Sequence, residues 1–177
     1  MSSAVSPKNS NYMSSKTKLF QVGSIVPITK SNNSELFLRA LEAMCELGFS
    51  VSALAEGDKE AQSICFEIAQ KYPNNFQIIE SLPKNRAQIM NKADVLVFPE
   101  VPSDKILKEI IREGIIPVLP QGGKFQNFDP QKESGNAFTF SKSNFWEFLS
   151  AIIRASENFK FSYDWQNLQK NLRETEV

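Results

Sequence analysis

The chain of 177 residues contains no histidine and only two cysteines. Without histidine, imidazole acid–base catalysis and histidine-bound metal are excluded, and we expect neither a metal nor another cofactor. Cys45 and Cys65 both fall on apolar faces of predicted helices, where reduced and packed thiols are the ordinary interpretation. The sequence therefore points away from metal sites and from disulfide scaffolds.

An excess of one charge is also missing, since 20 lysines and arginines balance 20 aspartates and glutamates. No overall field favours nucleic acid or an anionic membrane surface, and we expect neither as a partner. No apolar run approaches the roughly 18 to 20 residues that cross a bilayer, and no apolar signal segment opens the chain. We therefore expect a cytoplasmic protein.

The most informative stretch is a β-α-β unit between residues 92 and 124. Residues 95–98 form a continuous apolar run, which is typical of a strand covered on both faces of a parallel sheet. Ser103 is expected to cap an amphipathic helix that ends at Gly114. Residues 116–119 form the next strand, and a glycine pair opens a tight loop beyond it. Ligands of open parallel sheets bind at such strand ends.

Strands and helices alternate throughout residues 18–177, whereas residues 1–17 are expected to be a disordered tail. The predicted strands are 19–26, 50–55, 76–79, 95–98, 116–119 and 137–140. The predicted helices are 34–47, 57–72, 83–93, 103–114, one that begins at Ser143, and 163–172. In the helix that begins at Ser143, the residues expected to face inward are Phe145, Trp146, Leu149, Ile152 and Ile153. The alternation predicts an α/β fold: a single Rossmann-like doubly wound domain with a mainly parallel six-stranded sheet.

Four segments resemble one known family in their order and spacing: residues 93–99, 112–118, 122–123 and 135–138. They are similar to the C-terminal, nucleotide-sugar-binding domain of glycogen and bacterial starch synthases, which are two-domain glycosyltransferases of the GT-B fold. The resemblance extends from about residue 18 to residue 172. It implies a partner that is a nucleotide or an ADP- or UDP-linked sugar and, if the chain is active, hexosyl transfer from that donor.

The chain departs from this family where the family holds the donor diphosphate. The family has an arginine and a lysine after its first strand, and here Ser24 and Lys30 stand at those positions. The donor loop is about two residues shorter, lacks glycine and places Asp104 where a diphosphate would lie. The family's acceptor-binding half, with its own catalytic groups, has no counterpart in this sequence. We therefore expect no catalytic residue in this chain.

The resemblance implies a donor or nucleotide site formed by Lys30, Ser103, Glu109, Gly122 and Gly123. Most of these residues also have an ordinary structural explanation. Lys30 fits a solvated loop lysine, and Glu109 fits a surface glutamate paired with Lys105 or Arg112 at helical spacing. A plain strand-to-loop turn also needs glycine, so the glycine pair is explained equally well without a ligand.

Three functions agree with these observations. The first is a catalytically degenerate glycosyltransferase domain that keeps the fold and a nucleotide or nucleotide-sugar site. The second is one half of a split glycosyltransferase, completed by a separate acceptor-binding chain. The third is a non-enzymatic Rossmann-like scaffold for protein interaction. If the chain pairs with itself, the exposed sides of edge strands and the Phe-rich C-terminal helices are the expected contact surfaces. The missing arginine and the altered donor loop favour the first or the third.

Overall fold

The computed structural model describes residues 18–28, 34–141 and 144–176. The elements are β1 (Gln21–Ser24), α1 (Ser34–Glu46), β2 (Ser50–Ala55), α2 (Lys59–Lys71), β3 (Phe76–Glu80), α3 (Pro83–Lys92), β4 (Val95–Val97), α4 (Asp104–Glu113), β5 (Ile116–Pro120), β6 (Phe138–Phe140), α5 (Phe145–Phe159) and α6 (Ser162–Arg173). Strands and helices alternate as far as β5, which is followed by β6 without an intervening helix and then by two helices.

The six strands form one sheet in the order β3-β2-β1-β4-β5-β6, and each neighbouring pair is parallel. All residues of β4 and β5 are buried, which explains their uninterrupted apolar sequences. The predicted doubly wound α/β domain with six strands is confirmed.

Helices cover both faces of the sheet. Right-handed crossovers place α1 and α2 on one face and α3 and α4 on the other. The two C-terminal helices extend these layers, because α5 packs against α1 and β6 while α6 packs against α4 and β5. Trp165 of α6 stacks on Phe138 of β6 with ring centroids 6.5 Å apart, so the last helix is packed into the core as predicted.

Most predicted boundaries differ from the structure by one or two residues, and two of the differences have a clear physical cause. The first strand is shorter than residues 19–26, because Gln21 is the first residue to pair with β2, whereas Leu19 is half exposed. Helix α5 begins at Phe145, where the Asn144 side chain accepts a hydrogen bond from the Glu147 amide at 3.2 Å. Asn144 is therefore the N-cap, and Ser143 lies outside the described residues.

The prediction that Trp146 faces inward is wrong. Its side chain is 73% exposed, whereas Phe148 is fully buried. The buried stripe of α5 runs through Phe148, Ile152 and Ala155. Trp146 precedes Phe148 by two residues and so lies about 200° around the helix from that stripe. Because Trp146 and Phe148 lie on opposite faces of α5, choosing Trp146 as an inward aromatic residue gives the wrong face of the helix.

The strand order changes direction between β1 and β4. In open parallel sheets, the loops at this point diverge to opposite faces and leave a crevice at the carboxyl ends of the strands. A ligand site is therefore expected at the carboxyl ends of the strands. Within the parts of the chain that the structure describes, none of the helices combines the length and apolar character required to cross a membrane.

Candidate functional site

A cavity of about 420 Å³ lies at the carboxyl ends of β4 and β5, beside the start of α4. Three segments contribute its walls: the loop after β4, the first turns of α4 and the loop after β5. The lining residues are Val101, Asp104, Leu107, Gln121, Gly122, Gly123, Lys124 and Phe125. The cavity thus occupies the edge of the sheet where parallel topology places ligands.

The predicted glycine pair forms part of this cavity. Gly122 and Gly123 have φ angles of 144° and 64°, which residues other than glycine rarely adopt. Gly122 also forms an isolated antiparallel β-bridge with Phe125 across the short loop. A Cβ atom added at either glycine would have no described atom within 4 Å, so both glycines face open space. The pair therefore meets the needs of the turn and leaves its backbone open to a ligand.

Apolar and charged groups share the cavity. Leu107 and Phe125 are buried apolar residues, whereas Asp104 is exposed and brings a carboxylate. Lys124 brings an ammonium group from the loop after β5. Apolar walls can cover the flat face of a base or sugar, and the two charges can select the polar groups of the same ligand.

Ser103 holds the N-cap position of α4, but its hydroxyl makes no capping hydrogen bond. Only its backbone takes part, since the Ser103 carbonyl accepts a hydrogen bond from the Leu107 amide at 3.0 Å. The predicted N-cap position of Ser103 is therefore confirmed, whereas the side-chain hydrogen bond typical of a serine cap is absent. Its side chain is exposed beside Asp104, which supplies negative charge at the positive end of the helix instead.

Glu109 is held by a partner that the sequence did not suggest. Both of its carboxylate oxygens accept hydrogen bonds from Arg86 of α3, at 2.8 and 2.7 Å. These bonds hold the pKa of Glu109 below its usual value, and the nearby charges of Arg112 and Lys105 act in the same direction. Its ion pair is therefore with α3 and not with its own helix, and Glu109 is not among the residues that line the cavity.

Ser24 and Lys30 stand where the resemblance implies the family's arginine and lysine, and of the two only Ser24 lies within the described residues. Ser24 ends β1, next to β4, and its side chain is only 1% exposed. A buried serine supplies no charge to a phosphate at this point of the crevice. Lys30 lies outside the described residues.

The sequence interpretation did not include Lys124, Phe125 or Val101 among the site residues, although all three line the cavity. One local signal was available, because Lys124 follows the glycine pair directly. The position of Val101 depends on how the loop after β4 meets the loop after β5, which local patterns do not reveal.

The described geometry defines a Rossmann-like domain with a cavity at the carboxyl edge of a parallel sheet, and comparisons with known proteins agree with this class. No protein-family model matches the chain. A glycogen synthase from Desulfitobacterium hafniense is 27% identical over 152 residues, which cover 81% of this chain and 32% of that protein. A glycogen synthase from Synechocystis is 24% identical over 84% of this chain. The chain spans about a third of the length of the curated relatives it matches.

Solved structures show the same fold. The catalytic domain of starch synthase IV from Arabidopsis thaliana, bound to ADP and acarbose, matches 92% of this chain with a TM-score of 0.72 and 18% identity. This chain covers 36% of that one. HepE from Anabaena, solved with UDP and glucose, matches 88% of this chain and is covered to 42%, with a TM-score of 0.61 and 13% identity.

These likenesses confirm the resemblance that the sequence segments suggested: the chain has the fold of a GT-B glycosyltransferase domain and is similar to the C-terminal, glycogen/starch synthase-type domain.

Proposed function

We propose that this chain is a nucleotide- or nucleotide-sugar-binding domain of the glycogen/starch synthase type that has lost glycosyl transfer. The observation that carries the proposal is the cavity at the carboxyl ends of β4 and β5. Two structural neighbours were solved with ADP or UDP, which supports a nucleoside diphosphate or its sugar conjugate as the ligand.

In this proposal, each part of the cavity has a role in binding. Gly122 and Gly123 let the backbone approach the ligand, because nothing in the described structure fills the space above them. Lys124 pairs with a phosphate oxygen, and Phe125 and Leu107 cover an apolar face of the base or sugar. Ser103, exposed at the start of α4, adds a phosphate contact, and the sequence resemblance adds Lys30 as a further phosphate ligand. We further propose that a ribose reaching beyond the cavity contacts Glu109, which does not line it, through the carboxylate lone pairs that Arg86 leaves free.

The loss of transfer rests on the groups that would stabilise the departing diphosphate. The family arginine is replaced by Ser24, which is buried and uncharged. Asp104 adds negative charge at the start of α4, where a diphosphate would be repelled. Removing a charge that acts on a transition state costs several kcal/mol of activation free energy. Weak binding without turnover is the outcome these changes favour.

A second candidate is supported by the coverage of the relatives. The relatives extend well beyond the segment that this chain matches, so the second candidate is the donor-binding half of a transferase that acts together with an acceptor-binding half. This candidate requires the same nucleotide cavity, and it differs in that adding the other half would restore transfer.

Calorimetric titration with ADP, UDP, ADP-glucose and UDP-glucose tests the proposal. The informative variant is Gly123→Leu, which fills the cavity, and its matched control is Gly48→Leu. Gly48 also has a positive φ, of 79°, and open space above it, but it follows α1 at the opposite edge of the sheet. Both variants therefore carry the same backbone strain. We expect binding to be lost in Gly123→Leu and kept in Gly48→Leu. Equal loss in both, or no binding by the wild type, contradicts the proposal.

A further inference from the structure

Among the residues that the structure describes, β3 ends the sheet on one side, and β2 is its one neighbour in the strand order. The Val51 amide of β2 donates to the Asn75 carbonyl at 2.6 Å, which shows that the backbone of residue 75 points toward β2. Because backbone groups alternate along a strand, those of residues 77 and 79 point the same way. The residues of β3 whose backbone groups point outward are Phe76, Ile78 and Glu80.

Two of the outward groups already have partners in the chain. The Phe76 amide donates to the Tyr72 carbonyl at 2.9 Å, and the Glu80 carbonyl accepts from the Leu82 amide at 2.9 Å. Four outward groups remain: the Phe76 carbonyl, the amide and carbonyl of Ile78, and the Glu80 amide. Within residues 34–141, no protein group hydrogen-bonds to these four.

The opposite edge of the sheet is closed by side chains. In β6, Thr139 points outward, and its amide donates to the Asn127 side chain at 3.1 Å. Its carbonyl accepts a hydrogen bond from the Arg154 guanidinium at 2.9 Å. A strand approaching β6 would find both of these groups occupied. The sheet therefore has one closed edge and one open edge, and open edges add strands readily.

We propose that a second copy of this chain pairs its β3 with β3 in antiparallel orientation about a two-fold axis at Ile78. In this register Ile78 lies opposite itself and exchanges two N–H···O=C bonds, while each Glu80 amide donates to the Phe76 carbonyl of the other copy. The four free groups of one edge are thus complementary to the same four groups of another.

The two outward backbone groups that already have hydrogen-bond partners inside the chain support a second copy as the occupant of this edge. Across the two-fold axis, the Phe76 amide would face the Glu80 carbonyl, and both are the groups satisfied inside the chain. No donor or acceptor is left over in the pair. The Glu80 carboxylates lie at opposite ends of the seam, so the register brings no like charges face to face.

An exposed aromatic residue lies on the same side of the molecule. Phe66 of α2 is 50% exposed. It lies about 140° around the helix from Lys71, which contacts Glu42 of α1, so Phe66 is on the flank of α2 that faces away from α1. Since α1 packs on β2 and α2 packs on β3, the flank of α2 that faces away from α1 lies on the β3 side of the molecule. A second copy would cover this ring.

Sedimentation equilibrium of the full chain over a concentration series tests the pairing. The first variant is Ile78→Pro, which removes an outward amide and leaves the ladder with β2 intact, as proline on edge strands does. The second is Phe66→Lys, at an exposed position. Trp146→Lys is the control, since Trp146 is an exposed aromatic residue on α5. We expect a dimer whose dissociation constant rises roughly tenfold or more in the first two variants and is unchanged in the control.

Amide hydrogen exchange adds a readout that is specific to strand pairing. The amides of Ile78 and Glu80 should become protected as the protein concentration rises, and they should lose this protection in Phe66→Lys. A wild-type chain that stays monomeric throughout the series overturns the proposal. So does a dimer that Phe66→Lys leaves intact or that Trp146→Lys dissociates. If Ile78→Pro does not fold, judged by circular dichroism, the Phe66→Lys result and the exchange data decide.

Discussion

Arg86 and Glu109 join α3 to α4 through two parallel hydrogen bonds of 2.8 and 2.7 Å. Both side chains are 28% exposed, so the pair is partly shielded from solvent. Paired hydrogen bonds between a guanidinium and a carboxylate combine charge with a fixed geometry. The pair links the two helices that follow β3 and β4, on one face of the sheet.

Replacing Arg86 with methionine should lower the free energy of unfolding by about 1 kcal/mol at pH 7, after allowance for solvent screening. The pair holds the pKa of Glu109 below its usual value. Its contribution is therefore present above the ordinary glutamate pKa and is lost as the pH falls through the lowered pKa. Urea unfolding at a series of pH values should show the difference between wild type and Arg86→Met shrinking in acid.

Arg112→Met is the control for this measurement, because the Arg112–Glu113 pair is far more exposed. It should change the stability little at any pH. A loss in Arg86→Met that stays constant down to strongly acidic pH would mean that packing of the arginine stem, and not the ion pair, carries the effect.

Phe148 and Trp146 should differ sharply in their effect on stability. Phe148 is fully buried and contacts Phe140 with ring centroids 4.9 Å apart. Phe148→Ala should therefore destabilise the fold by about 3–5 kcal/mol. Trp146→Ala removes a side chain that is largely in solvent and should cost less than about 1 kcal/mol. Thermal unfolding of both variants checks this, and similar midpoints would show that α5 is rotated relative to the described packing.

The isolated chain should transfer no glucose from ADP-glucose or UDP-glucose to a glucan. The physical reason is the buried, uncharged Ser24 at the position where the resemblance implies an arginine. Release of nucleoside diphosphate in the presence of glycogen measures the activity. Turnover clearly above that of a Lys30→Ala, Glu109→Ala double variant would contradict the loss of catalysis.

Asp104→Asn should raise the affinity for ADP about fivefold, because it removes one negative charge from the wall of the cavity. Asp164→Asn is a matched control, since Asp164 also lies in the first turn of a helix, α6, but does not line the cavity. Both variants lose the same favourable interaction with a helix dipole. Calorimetric titration measures the ADP affinity of both variants. An equal change in affinity in the two would place the diphosphate elsewhere.

Local sequence determined most of the architecture. The apolar runs of β4 and β5 predicted buried parallel strands, and Gly114 predicted the end of α4, where it adopts a φ of 70°. Each of these features depends on a few neighbouring residues, through side-chain periodicity and the backbone freedom of glycine. The place of the glycine pair at the carboxyl ends of the strands followed from the same patterns, whereas the strand order became known only from the fold.

Long-range packing decided what those patterns left open. Arg86 and Glu109 are 23 residues apart, and only the approach of α3 to α4 brings their charges together. Asp104 and Lys124 share a cavity because two strands end side by side. The closed edge at Thr139 requires Asn127 and Arg154 from two different segments. Such pairings depend on the relative position of whole elements, which the three-dimensional fold sets and which residue preferences along the chain do not encode.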